Sequence, residues 1–369
     1  MVTRLAAAET PDFIGKLLIA MRLFLFALLL LLIGPGFAQG QVAALLNGSA
    51  AARFSGTGLV AQKGRVLALA HQGCANQQFA VPMTDSTRLP IASITKLFTA
   101  ILVLQRCERG QLSLADSVGR YLPGLPAGCR DITILQLLTH HSGLQNEPAL
   151  AYANPYSPAE FVRKFVLRKD GPPVAAFNYN NTDYILLTHL LEVVTGKSYP
   201  DLLQENILKP LQMHSSGVIS EARIIPGLSY GYHNYTFGDG PPDQPLKNDA
   251  PLYLSNYAGA GAIYSTAADL LKLVQALKEN RLLNAQTTAL LTTPQQKGFV
   301  AYARGYPAIG FYCNDKTFPQ PVLERRGSIN GFNSVLLTDK TFEKVVILLA
   351  NTDAADLEVI GDKLYAELK

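Results

Sequence analysis

Charge is scarce in this chain. Only 16% of its 369 residues are Asp, Glu, Lys or Arg, against 48% hydrophobic, a balance that excludes a disordered or solvating chain. The formal charge is +4, and residues 1–38 hold three basic and two acidic groups, which leaves +3 for the remainder. So slight a surplus, with no Lys/Arg block, argues against nucleic acid as a partner. Cysteine is sparse as well: Cys74, Cys107, Cys129 and Cys313 match no metal-site spacing. In an oxidising compartment they allow three pairings, of which Cys107 with Cys129 is the expected one; the alternative is four buried thiols. None of the six histidines pairs at metal-binding spacing with an acidic partner, so no metal or cofactor is expected. Repeats and low-complexity tracts are absent too. At about 150 residues per domain, the length suits two domains or one large, elaborated one.

One long hydrophobic run is present. Leu23 to Ile33 gives 11 apolar residues, preceded by Arg22 and followed by "GPG" and small residues around Ala38, the layout of a cleavable secretory signal over residues 1–38. Met21 is an alternative start. An uncleaved anchor over Ile14 to Ile33 is the other reading, although Lys16 and Arg22 interrupt it. No cysteine follows the run, which argues against a bacterial lipid anchor at this junction. The expected location is periplasmic or secreted, with membrane contact only through this segment if it stays uncleaved.

Further on, "GTGLVAQKGRVLALA" runs apolar on both sides of Lys63-Gly64 and predicts a hairpin. Residues 94–109 predict a helix apolar nearly all round, hence buried on most sides, with Gly110 placed to end it. From 111 to about 254, short helical patterns alternate with Pro/Gly-rich connections, as in a helical subdomain. The segment 231–251 is a long loop rich in breakers and aromatics, expected to rim a site with Tyr232, Tyr235 and Phe237. Thr266 and Asp269 have capping-box spacing ahead of a helix. "NSVLLT" and "KVVILLAN" predict strands, the second covered on both faces, and 354–368 predicts a last helix. Strands at both ends imply an α/β domain of 45–110 and 255–369, with the helical part, 111–254, inserted.

The stretch "PIASITKLFT" sets Ser93 three residues before Lys96, on one face of a buried helix's first turn. A buried ammonium is costly unless it is paired or deprotonated. A lysine with a depressed pKa is a base, and a serine beside a base is an activated nucleophile. The helix N-terminus also favours an oxyanion formed there. The same spacing suits a snorkelling lysine and a capping serine, and the motif alone does not decide.

Five segments, "RLPIASITKLFTAILVLQ", "ITILQLLTHHSGL", "FNYNNTDYILLTHLLEVVTGKSY", "GAIYSTAADLLKL" and "GSINGFNS", resemble in order and spacing those of the serine β-lactamase and penicillin-binding family, most of all its class C branch. The resemblance runs from about residue 50 to the C-terminus. It implies a mixed α/β fold, an antiparallel sheet flanked by helices with an inserted helical subdomain. It also implies that Ser93 forms an acyl-enzyme and that Lys96 is its basic partner. Tyr179, Asn180 and Asn181 match the family's Tyr-x-Asn, with Tyr179 shuttling protons and Asn181 holding Lys96 and the substrate amide. The third motif departs: Arg325, Arg326 and Gly327 stand where the family has Lys or His, a small residue and Gly. A permanently charged arginine can grip a substrate carboxylate but cannot exchange protons, and a solvated strand edge is the bland reading of the pair. Gly327 lets substrate approach, and the Ser328 N–H would complete an oxyanion hole with that of Ser93. His140 and His141 fall in a structural turn of the family, not in a triad.

The function implied is an exported serine hydrolase acting by acyl transfer on amide, lactam or ester carbonyls, as a β-lactamase or D,D-peptidase does. Its partners would be small-molecule or peptide substrates such as cell-wall peptides or β-lactams, with Arg325 favouring those that bear a carboxylate. The alternatives are a carboxylesterase or D-amino-acid peptidase of the same fold, or a non-catalytic penicillin-binding sensor module.

Overall fold

A computed structural model describes Gly40, Ala44 and residues 54–168, 176–233, 245–249, 252–329 and 331–368. The signal segment, Tyr235 and Phe237 lie outside the described residues. Among those described, no helix is long and apolar enough to cross a membrane.

Seven antiparallel strands form one sheet: β1 Gly56–Gln62, β2 Arg65–Gln72, β3 Tyr306–Pro307, β4 Tyr312–Asn314, β5 Val322–Ile329, β6 Phe332–Asp339 and β7 Lys344–Ala350, in the order β3-β4-β5-β6-β7-β1-β2. Both ends of the described chain therefore meet in its interior, where Leu59 faces Ile347 and Val60 faces Val346. The β1–β2 hairpin turns at Lys63 and Gly64, both at positive φ (51° and 81°), as the tight turn of two right-twisted strands requires.

Side chains alternate across a strand, and here each set has its own core. Leu59, Leu336, Ile347 and Leu349 face the large core shared with the helices. Val60, Val335, Leu337, Val346 and Leu348 face a smaller one closed by Leu357, Ile360, Leu364 and Tyr365. That explains the unbroken apolar run of β7, whose residues Val345 to Ala350 are all buried. Four helices matter for the site: α1 Thr95–Glu108, α2 Thr182–Thr195, α3 Ala267–Lys278 and α4 Leu357–Ala366. Helix α1 is buried from Thr95 to Arg106, and Gly110, at φ 68°, follows its end. Helix α4 is shorter than the pattern suggested and is capped by Asp356. Thr266 caps α3 by accepting from the Asp269 N–H. The Asp269 carboxylate, however, turns to Ser215, Ser216 and Lys272, so the capping box is only half made.

Two expectations need correction. All four cysteines are free thiols, so Cys107 and Cys129 are not bridged. Burial pushes the Cys107 thiol up to about 11 and raises Cys129 and Cys313 too, as expected of inert packed thiols. Tyr232 does not rim a cleft: it is buried, and its hydroxyl accepts from the Gln77 N–H at 2.7 Å.

Candidate active site

Ser93 sits in a single turn of tighter helix, Ala92–Ile94, that leads into α1. The residue before it, Ala92, is fully buried with φ 46°. A left-handed alanine is strained, and such strain persists only where the surroundings fix the backbone. Here Ser334 on β6 donates to the Ile91 carbonyl at 2.8 Å. Strand β5 crowds the same turn: a Cβ on Gly327 would stand 2.5 Å from the Ile91 oxygen and 2.6 Å from the Ser93 nitrogen. Only glycine fits there. Pairing of β4 with β5 stops at Glu324, so the edge from Arg325 onward is left facing the serine.

Lys96 is fully buried. Its Nζ lies 3.1 Å from Ser93 Oγ, 2.7 Å from Asn181 Oδ1 and 2.9 Å from the Ala260 carbonyl oxygen. The last two can only accept. Asn181 has no freedom to present its amide nitrogen instead, because Nδ2 donates to Glu147 Oε1 at 2.8 Å and a carboxylate has no proton to give. In its neutral form the lysine would spend its two N–H groups on Asn181 and Ala260 and turn its lone pair to the serine hydroxyl. Burial does push Lys96 below the ordinary lysine range; Tyr179 opposes that fall and Arg325 adds to it.

Tyr179 is half-buried, and Lys96 Nζ stands 4.8 Å from its ring centroid. Burial alone would raise its phenol, but the positive charges of Lys96 and Arg325, with hydrogen bonds to Lys96 and Ser93, bring it below its ordinary value. The two groups are thus tuned toward one another, as acid–base partners are. Behind them, His140 Nδ1 lies 2.9 Å from Asp183 Oδ2, and the imidazole ring packs 4.4 Å from that of Tyr179. Burial, with Lys96 and Arg325 nearby, holds His140 neutral, and it makes no hydrogen bond to Ser93. His141 bonds instead to Thr139 and Gln296.

Arg325 is 3% exposed, not splayed toward solvent. Its Nε donates to the Ser93 carbonyl at 3.0 Å, its guanidinium lies 5.7 Å from the Tyr312 centroid, and Nη2 has no partner among the described residues. Arg326 points to the other face and pairs with Glu324 and Glu358. The solvated-edge reading of the pair is thereby excluded.

Two cavities share Ser93, Tyr179, Ser328 and Asn333. One, of about 580 Å³, extends past Arg325 and Tyr312; the other, of about 860 Å³, extends past Glu147, Tyr152 and Tyr257. The structure thus gathers Ser93, Lys96, Tyr179, Asn181, Arg325, Gly327 and Ser328 at one place. Sequence reasoning missed Glu147 and the Ala260 carbonyl. Glu147 lies three residues past the quoted "HHSGL", among the breakers of a connection. Ala260 acts through its backbone, which no residue pattern reports; Ala258 at φ 44°, ψ −128° turns that segment. Among the described residues, no group of three His, Cys, Asp or Glu is placed to hold a metal ion.

An antiparallel sheet covered by helices, with a serine and a buried lysine on one helix turn against the sheet's edge, defines a serine hydrolase of the β-lactamase fold. The family model described as Beta-lactamase matches residues 43–368, and the chain belongs to that family. The Bacillus subtilis protein PbpX, named for its similarity to penicillin-binding proteins, is 27% identical over 85% of this chain and 74% of its own length. The teichoic acid D-alanine hydrolase of Staphylococcus aureus is 26% identical over the same shares. Among solved structures, FmtA from Staphylococcus aureus superposes with a TM-score of 0.76 at 23% identity, covering 90% of this chain and 88% of that one. The D-amino acid amidase from Ochrobactrum anthropi SV3 gives 0.77 at 22%, over 90% and 98%.

Proposed function

We propose that the protein is an exported acyl-transfer hydrolase in which Ser93 is the nucleophile. Ser93 Oγ attacks an amide, lactam or ester carbonyl and passes its proton to Lys96. Tyr179 then relays a proton to the leaving group. Water, activated by the same pair, cleaves the acyl-enzyme and restores the serine. The Ser93 and Ser328 N–H groups receive the oxyanion, Asn181 orients lysine and substrate, and Arg325 fixes the serine's backbone while offering Nη2 to the substrate. One observation carries this reading: the buried Lys96 amine has two obligate acceptors, and its third neighbour is the serine hydroxyl. The names of two relatives, a teichoic acid D-alanine hydrolase and a D-amino acid amidase, bring D-alanine release and amide hydrolysis within reach alongside lactam cleavage. Export rests on the hydrophobic run before residue 38, and a periplasmic or secreted location follows from it.

The test is intact-mass spectrometry of the protein over time with a penicillin and, separately, p-nitrophenyl acetate, with Ser93→Ala as control. An adduct or ester turnover confined to the unmutated protein is the expected result. Equal behaviour of the two proteins would remove Ser93 from the mechanism. The decay rate of a penicillin adduct would separate a lactamase from a slow penicillin-binding peptidase.

A further inference from the structure

Tyr179, the proton relay of the proposed reaction, lies in a segment that is neither helix nor strand. Its two chain neighbours are tied down. The Asn178 N–H donates to the His140 carbonyl at 2.8 Å, and Asn180 Oδ1 accepts from the Asp183 N–H at 2.8 Å. These bonds fix the backbone on either side of Tyr179 and leave its ring to be set by what it packs against. Two of its neighbours are Lys96 Nζ, 4.8 Å from the ring centroid, and the imidazole of His140, with ring centroids 4.4 Å apart.

That imidazole is a fixed surface. His140 is 3% exposed, and Asp183 is fully buried. Nδ1 of the ring lies 2.9 Å from Asp183 Oδ2. Asp183 Oδ1 accepts from the Ser142 hydroxyl at 2.5 Å, so the carboxylate is held toward the ring. The Tyr184 ring packs against the imidazole as well, at 5.3 Å. Nε2 has no partner among the described residues, so the ring contributes its face and its direction and no second hydrogen bond. Packing alone would be met by any apolar ring and would not call for a buried carboxylate beside it, which is unfavourable without a partner. An aspartate that fixes an imidazole's orientation is familiar from catalytic triads; here the oriented ring abuts the tyrosine and not the serine.

From this we infer that His140 is a positioning residue for Tyr179, with Asp183 as its anchor: the oriented imidazole holds the phenol ring where its hydroxyl serves Lys96 and the leaving group. The inference deepens the proposed reaction and rests on its reading of Tyr179 as the relay. It adds no step. Ser93 Oγ bonds to the carbonyl carbon, the bond to the leaving group breaks, and the leaving oxygen or nitrogen takes the proton that Tyr179 delivers. His140 sets how far that proton must travel, and small misplacements of a reacting group slow a reaction steeply.

Leaving-group dependence isolates that proton. The weakly basic p-nitrophenoxide departs without one, whereas the more basic phenoxide gains from a proton delivered as the bond breaks. The experiment compares kcat/KM for p-nitrophenyl acetate and phenyl acetate in the unmutated protein, His140→Asn, Tyr179→Phe and the double variant. Asparagine suits the left-handed backbone of residue 140, at φ 59°, and keeps an amide donor toward Asp183, so the ring is what the substitution removes. The ratio of p-nitrophenyl to phenyl acetate is expected to rise at least about tenfold in His140→Asn and to rise in Tyr179→Phe. Between Tyr179→Phe and the double variant it should differ by less than about twofold, the non-additivity of residues acting through one group. A mere packing role would slow both esters alike. A ratio unchanged in His140→Asn, or a further rise on top of Tyr179→Phe, would overturn the inference. If His140→Asn does not fold, His140→Gly is read in the same way, since glycine also admits this backbone and the space it opens lets water reach Asp183. A ratio unmoved by Tyr179→Phe would overturn the relay itself, and ester turnover that persists in Ser93→Ala the nucleophile, so the failures are told apart.

Discussion

In the proposed mechanism, Lys96 can accept a proton from Ser93 only while its amine is neutral. Because its folded value lies below the ordinary lysine range, the neutral fraction grows with pH from a lower starting point than for a free lysine. The predicted kcat/KM for a neutral ester therefore rises with pH as Lys96 deprotonates. Lys96→Arg keeps the charge permanently, so it should lower kcat/KM by about 10²–10⁴-fold and abolish that rise; a rate profile measured on both proteins decides it. Gly327 makes a second prediction, from shape alone. A methyl group there meets backbone atoms of Ile91 and Ser93, which cannot swing aside as a flexible side chain would. Gly327→Ala should slow acylation of Ser93 more than tenfold, seen as delayed adduct formation by mass spectrometry, while far-ultraviolet circular dichroism stays unchanged.

Helix α4 covers the outer face of the sheet and begins beside the smaller cavity. Its Asp356 cap accepts from the Glu358 and Val359 N–H groups at 3.0 and 3.1 Å. Asp356→Ala should cost about 1 kcal/mol, measurable as a lower urea midpoint with an unchanged slope. The elements written in alternation or helical period were legible beforehand: the Lys63-Gly64 hairpin, α1, β6, β7 and α4. Strand β5 was legible only through its motif. "VLERRGSI" has no hydrophobic alternation, since its polar residues are buried with partners: Glu324 is bonded to Asn314 and Arg326, and Arg325 to the Ser93 carbonyl. The site divides in the same way. Ser93, Lys96, Tyr179 and Asn181 follow recognisable spacings, whereas Glu147 depends on a loop folding back across α2 and Ala260 on a strained turn. Neither leaves a pattern in one sequence.

At the scale of the molecule, pairing of β1 with β7 binds sequence-distant strands into one hydrophobic layer. Deleting everything from Lys344 onward removes β7 and α4, which exposes one edge of β1 and unroofs the outer core. The shortened chain should show no cooperative thermal transition, whereas the unshortened one melts in a single step; calorimetry on the two distinguishes this from an independently stable helical part. The same pairing sets a schedule. Contacts between residues far apart in sequence are slow to form because the intervening loop must be closed first. During synthesis β1 has only its hairpin partner until the β7 stretch has been made. On the proposed export, a chain not yet closed by β7 would still be loose enough to thread through a narrow channel, with the serine turn not yet held against β5 and β6. On that proposal the hydrolase would be inert until it has been delivered.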